Sequence, residues 1–198
     1  MIQIGPTCGF YSLAFAAKEL GIKCKPKKLA SKLVFSAFSE ATSHIGEIFD
    51  VNDFEEYAMW VGMFTGVDLI AEVRKVKKNI TIGENEVIIF PIMRNQPHYI
   101  AIRSIKDNVA EYYDSEFGLI RHAPVSQIIE QNKKLPSRID WQKFFETGAN
   151  GKPYKPAFSR GLLDYKLHKK IKERIRSNKG ILKETDVRMK GYYVKVTA

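Results

Sequence analysis

The chain has 198 residues, 44% of them hydrophobic and 12% aromatic, which is enough apolar mass for one good core and too much for wholesale disorder. No apolar run approaches a membrane span and no signal peptide precedes the first helix, so the sequence predicts a cytoplasmic protein or a released fragment of a secreted precursor. The net charge of +10 is uneven: residues 1–132 hold 14 basic against 16 acidic side chains, and residues 133–198 hold 18 against 6. That split predicts a near-neutral body over 1–132 and a basic C-terminal extension, 133–198, packed on it.

The run Gln3-Ile4-Gly5-Pro6-Thr7-Cys8-Gly9-Phe10 opens the first element. Gly5 and Pro6 turn the chain, Thr7 is an N-cap, and Cys8 falls in the first turn of an apolar helix that runs to Leu20 and ends at Gly21. The positive end of the helix dipole favours a thiolate there. Gln3 lies where its amide could join the Cys8 N–H in stabilising an oxyanion. With only two cysteines there is no disulfide framework, and Cys24, set among lysines, reads as incidental.

A second helix is expected over Lys27–Phe38, a loop over Ser36–Phe49, and a third helix from Asp50 or Asn52 to Gly62–Gly66. Val67–Val73 could be strand or helix. Glu86–Met93 is a buried-type strand in which Pro91 demands an edge or a bulge. His98–Ile105 and Val109–Asp114 form a hairpin about the turn Lys106-Asp107-Asn108, and a short helix follows over Val125–Gln131. Further on, Leu163, Leu167, Ile171 and Ile175 mark a basic amphipathic helix, and Tyr192–Val196 reads as an edge strand.

The hairpin carries the chemistry. With a three-residue turn, Ile100 faces Asp114, and Asp114 becomes a diagonal neighbour of His98 on the same strand face. A two-residue turn would put the two on opposite faces. Cys8, His98 and Asp114 then fit nucleophile, base and orienting group. His44, His122 and His168 read as surface residues. Glu47, Asp50, Asp53, Glu55 and Glu56 read as complements to a helix dipole rather than a metal site. No zinc-type or phosphate-loop motif is present, and no cofactor is expected.

Gln3-x-Gly-Pro-Thr-Cys8-Gly-x-x-Ser-Leu, His98-Tyr-Ile-Ala-Ile and Tyr113-Asp114-Ser-x-x-Gly118 resemble the papain-like cysteine peptidases, most closely the bacteriocin-processing type that cuts leaders after double glycine. The resemblance covers about residues 1–130. It implies an α+β papain-like fold, a helical half led by the cysteine packed on a twisted antiparallel sheet. It also implies a Cys8–His98–Asp114 triad with Gln3 as oxyanion donor, and a peptide or protein substrate. Two other readings stand beside this one. A toxin or effector could use the same triad for deamidation or transglutamination. A basic protein with an inert cysteine could bind nucleic acid or another anionic surface through Lys166, Lys169, Lys170, Lys172, Arg174 and Arg176, whose charge would equally suit an acidic protein partner, inhibitor or immunity protein.

Overall fold

Apolar residues at helical spacing, then β-branched runs broken by turns, give helices followed by strands in the computed structural model, which describes residues 7–40, 42–43, 46–140, 173 and 185–198. The helices are α1 (Cys8–Glu19), α2 (Pro26–Ser39), α3 (Asp53–Thr65) and α4 (Val125–Lys133). The strands are β1 (Ile70–Lys75), β2 (Glu86–Met93), β3 (Pro97–Lys106), β4 (Val109–Asp114), β5 (Leu119–Pro124), β6 (Arg138–Ile139), β7 (Thr185–Asp186) and β8 (Tyr192–Thr197). The fold is α+β: a six-stranded antiparallel sheet ordered β1-β8-β2-β3-β4-β5, with β6 and β7 paired separately. The ambiguous stretch after α3 is strand β1, and β5 was not read from the sequence. Apart from Glu173, the basic helix expected over Leu163–Ile175 lies outside the described residues.

Every residue of α1 from Cys8 to Ala17 is buried. A helix apolar on all sides must be covered on all sides, and α2, α3 and the sheet do so. Gly21, at φ +83°, supplies the left-handed residue that releases the chain from this helix. Burying each of Phe10, Leu13 and Phe15 stabilises the packing by roughly 1.5–3 kcal/mol, so the start of α1 is firmly seated.

The sheet separates two cores. Val87, Ile89, Tyr99, Ala101 and Tyr113 face α1–α3, and Phe15 stacks on Tyr113 with ring centroids 4.4 Å apart. Ile88, Phe90, Ile92, Ile100, Ile102 and Tyr112 face α4. Burial of β2 on both faces explains its unbroken apolar run.

The expected position of the last strand needs correction: β8 is not an edge strand but lies between β1 and β2. Its Tyr-Val-Lys-Val alternation reports which side chains point inward, here Val194 and Val196, and says nothing about whether each backbone edge is paired. The central sheet thus draws strands from both sides of residue 132. Pro91 also sits in an interior strand, yet it costs no hydrogen bond on the β8 side. The β2–β8 ladder stops at Ile89–Val194, and the Asn132 side-chain amide donates to the Pro91 carbonyl at 2.9 Å.

Candidate active site

His98 and Asp114 meet by a route other than the expected one. The β3–β4 turn has two residues, Asp107 and Asn108, both at positive φ (51° and 60°), as a tight primed turn requires. Carried unbroken along the hairpin, that register would place Asp114 opposite Ala101, on the wrong face. A β-bulge at Arg103, between the Ile102–Tyr112 and Ser104–Glu111 pairs, absorbs one residue and restores Ile100 opposite Asp114. Arg103 is fixed there by a two-pronged hydrogen bond to Glu111 (2.9 and 2.8 Å) and a longer contact to Glu19 of α1. The expected turn is wrong, and the expected pairing of Ile100 with Asp114 holds. His98 Nε2 lies 3.0 Å from Asp114 Oδ1.

Cys8 arrives from the other layer at the same end of the sheet. The β3–β4 ladder ends at Ile100–Asp114, one residue short of Tyr99, and α1 takes up the Tyr99 backbone instead. Ser12 Oγ donates to the Tyr99 carbonyl at 3.2 Å, and the Tyr99 N–H donates to Cys8 Sγ at 3.4 Å. The sulfur is thereby tied to the residue adjacent to His98, near enough for its charge to act on the imidazole. With Nε2 engaged by Asp114, Nδ1 is the ring nitrogen left for the sulfur. An N–H aimed at the sulfur complements negative charge on it. Thr7 occupies the N-cap position but makes no side-chain cap; its carbonyl accepts the first helical N–H, from Tyr11, at 3.1 Å. The N–H groups of Cys8, Gly9 and Phe10 lie between that acceptor and the first bonded donor, the Tyr11 N–H, as helix geometry dictates.

Burial alone would strip the proton from His98. The hydrogen bond to Asp114 and the neighbouring Cys8 sulfur, with the charges of both, outweigh it and raise the imidazole from 6.5 to about 9. For Asp114 burial pushes upward, and His98 and Arg94 outweigh it, holding the carboxyl near 2. Arg94 Nη2 sits 2.6 Å from Oδ2, off the hydrogen-bond direction, so the contact pairs charge while Oδ2 has no aligned donor. Oδ1 also accepts the Glu116 N–H at 3.1 Å.

These shifts make stability depend on pH. The His98 contribution is complete below pH 6.5 and is lost as pH rises through about 9. That of Asp114 is complete above pH 3.8 and is lost as pH falls towards 2. Burial, then the charges of Asp50, Glu56 and Glu47, raise Asp53 at the start of α3 to about 7, so its contribution is lost as pH rises from 3.8 through 7. Thermal melts should therefore show wild type losing ground to Asp53→Asn between pH 4 and 7, with a constant offset above pH 8. Both proteins should lose stability again towards pH 9. A pH-independent offset would contradict this.

Cys8, His98 and Asp114 are brought together. Gln3, His44 and His168 lie outside the described residues. His122 is exposed and 3.5 Å from Glu111. Cys24 is free, like Cys8, and burial pushes its thiol up against the opposing pull of Lys18. Asp53, Glu55 and Glu56 occupy the first turn of α3 as expected. His98, Asp114 and Glu116 bring potential metal-ligand atoms within 4.8 Å of one another. Arg94 at 2.6 Å and Arg121 at 3.7 Å from Asp114 oppose a cation there.

Sequence reasoning missed Arg94, Ser12 and the Tyr99 backbone. A carboxylate that must stay ionised while fully buried requires a cation, and Arg94, in the turn leading into His98, was the signal available for it. Protein-family models and curated proteins were both searched with this chain, and neither gave a match.

Proposed function

We propose that the chain is a cysteine peptidase of papain-like type, working through Cys8, His98 and Asp114. One observation carries this reading: an imidazole buried at 3% exposure is hydrogen-bonded to a carboxylate, and the backbone N–H of the very next residue donates to a sulfur at a helix N-terminus.

In this reading His98 accepts the thiol proton and the sulfur attacks the substrate carbonyl carbon, whose π electrons move to oxygen. The N–H groups at the start of α1 are donors for that oxyanion, and Gln3 is proposed as a second source. As the C–N bond breaks, the proton on His98 passes to the departing amine, leaving a thioester on Cys8. Water, deprotonated by His98, attacks the thioester; a carboxylic acid leaves and the thiol is regenerated. Asp114 holds the ring orientation and stabilises the imidazolium throughout.

A peptide library incubated with wild type and with Cys8→Ala, read by mass spectrometry, tests the proposal. Hydrolysis adds one water and yields two fragments with wild type alone. Side-chain shifts of one mass unit without fragments would replace the peptidase reading with deamidation. Unchanged peptides in both arms would overturn the peptidase reading.

A further inference from the structure

A cavity of about 600 Å³ opens on the α4 side of the sheet and is lined by His98 but not by Cys8. Its floor includes Ile92 and Ile100, and Gln127 and Gln131 of α4 edge it. The charged side chains on its wall are Arg94, His98, Glu116, Arg121 and His122. Arg94 is committed to Asp114 and Glu116. Arg121 is not so committed: it is 44% exposed and stands 3.7 Å from Asp114 Oδ2, beyond hydrogen-bond reach. Its guanidinium lies 4.8 Å from the ring centroid of Phe117, with Arg94 5.7 Å from the same ring. Both cations thus pack against the Phe117 ring, a contact that restrains the Arg121 head group.

From this geometry we infer that the cavity is the subsite for the leaving half of the substrate and takes an acidic residue immediately after the scissile bond, its carboxylate on Arg121. The inference rests on the peptidase reading, because an amine that takes its proton from His98 must depart on the imidazole's side, and this cavity opens there. A guanidinium suits a carboxylate, which accepts two parallel N–H bonds, better than it suits a neutral amide. A divalent cation is disfavoured by the two arginines against Asp114. The volume accommodates a glutamate side chain with neighbouring backbone.

The test is NMR titration of wild type with Ac-Glu-Ala-NH2, Ac-Gln-Ala-NH2 and Ac-Lys-Ala-NH2, following the His98 ring and the Arg94 and Arg121 Nε–H signals. The glutamyl peptide should bind on the order of tenfold more tightly than the glutaminyl one, and Arg121→Gln should erase the difference. Equal affinities, a preference that survives Arg121→Gln, or shifts confined to signals elsewhere would each overturn the subsite. Cleavage with no acidic preference after the cut would overturn it too, while sparing the peptidase reading. Glutamate-selective binding at these signals without cleavage of any library peptide would overturn the peptidase reading and, with it, the assignment of the cavity to a leaving group.

Discussion

Replacing Asp114 with alanine should cost about 3–5 kcal/mol of stability and at least about 10²-fold in kcat/KM. Asp114 is fully buried with His98 and Arg94 against it, so its loss leaves a cationic guanidinium, only 20% exposed, without its closest partner. It also removes the acceptor that fixes His98 Nε2 and supports the raised imidazole pKa. The alkaline fall in activity should consequently move down from about pH 9 towards the ordinary histidine range. Asp114→Asn keeps the shape and a hydrogen-bond acceptor, so it should lose less activity than alanine while showing the same downward displacement. Denaturant melts and pH profiles of the two variants check this. An alanine variant with unchanged stability and an unmoved alkaline limb would contradict the role given to Asp114.

Gly46→Ala should be the most damaging single methyl group near the nucleophile. Gly46 holds φ +90°, where an L side chain costs roughly 1–2 kcal/mol, and an added Cβ would stand 2.6 Å from the Thr7 methyl carbon. Thr7 is fully buried and immediately precedes Cys8, so relief of the clash must move the start of α1. Overpacking of this kind adds about 1–3 kcal/mol, and a shift of the sulfur by a fraction of an ångström to an ångström lowers activity by about 10²-fold. Substitution of Gly21, whose Cβ would meet nothing within 4 Å, serves as the comparison: it shares the positive φ but should lose stability without losing activity per folded molecule. Equal activity losses in the two variants would refute the packing argument.

What the sequence discloses here depends on how local the cause is. Helix α1 was readable because its apolar run and Gly21 after it both act within a few residues. The His98–Asp114 contact was readable for a different reason: side-chain alternation leaves only two classes of register, and one of them puts both residues on a single face. The means of reaching that register was not readable. A two-residue turn and a bulge at Arg103 together give the same pairing as a three-residue turn, and the bulge is held by Glu111 and by Glu19 of a helix 84 residues away in sequence. The central placement of β8 and the clasp of α1 on the Tyr99 backbone are long-range as well, set by which edges remain unpaired once the sheet assembles. Arg94 falls between these cases: the demand for a cation follows from a buried carboxylate, but the identity of that cation follows from the fold.

Competitive alkylation with iodoacetamide tests most directly whether sulfur, imidazole and carboxylate act as one unit. Near neutral pH, Cys8 of the wild type should be modified roughly 10²-fold faster than Cys24, whose thiol burial pushes up, and His98→Ala should abolish that advantage. Equal rates at the two cysteines, or a Cys8 advantage untouched by His98→Ala, would contradict the account.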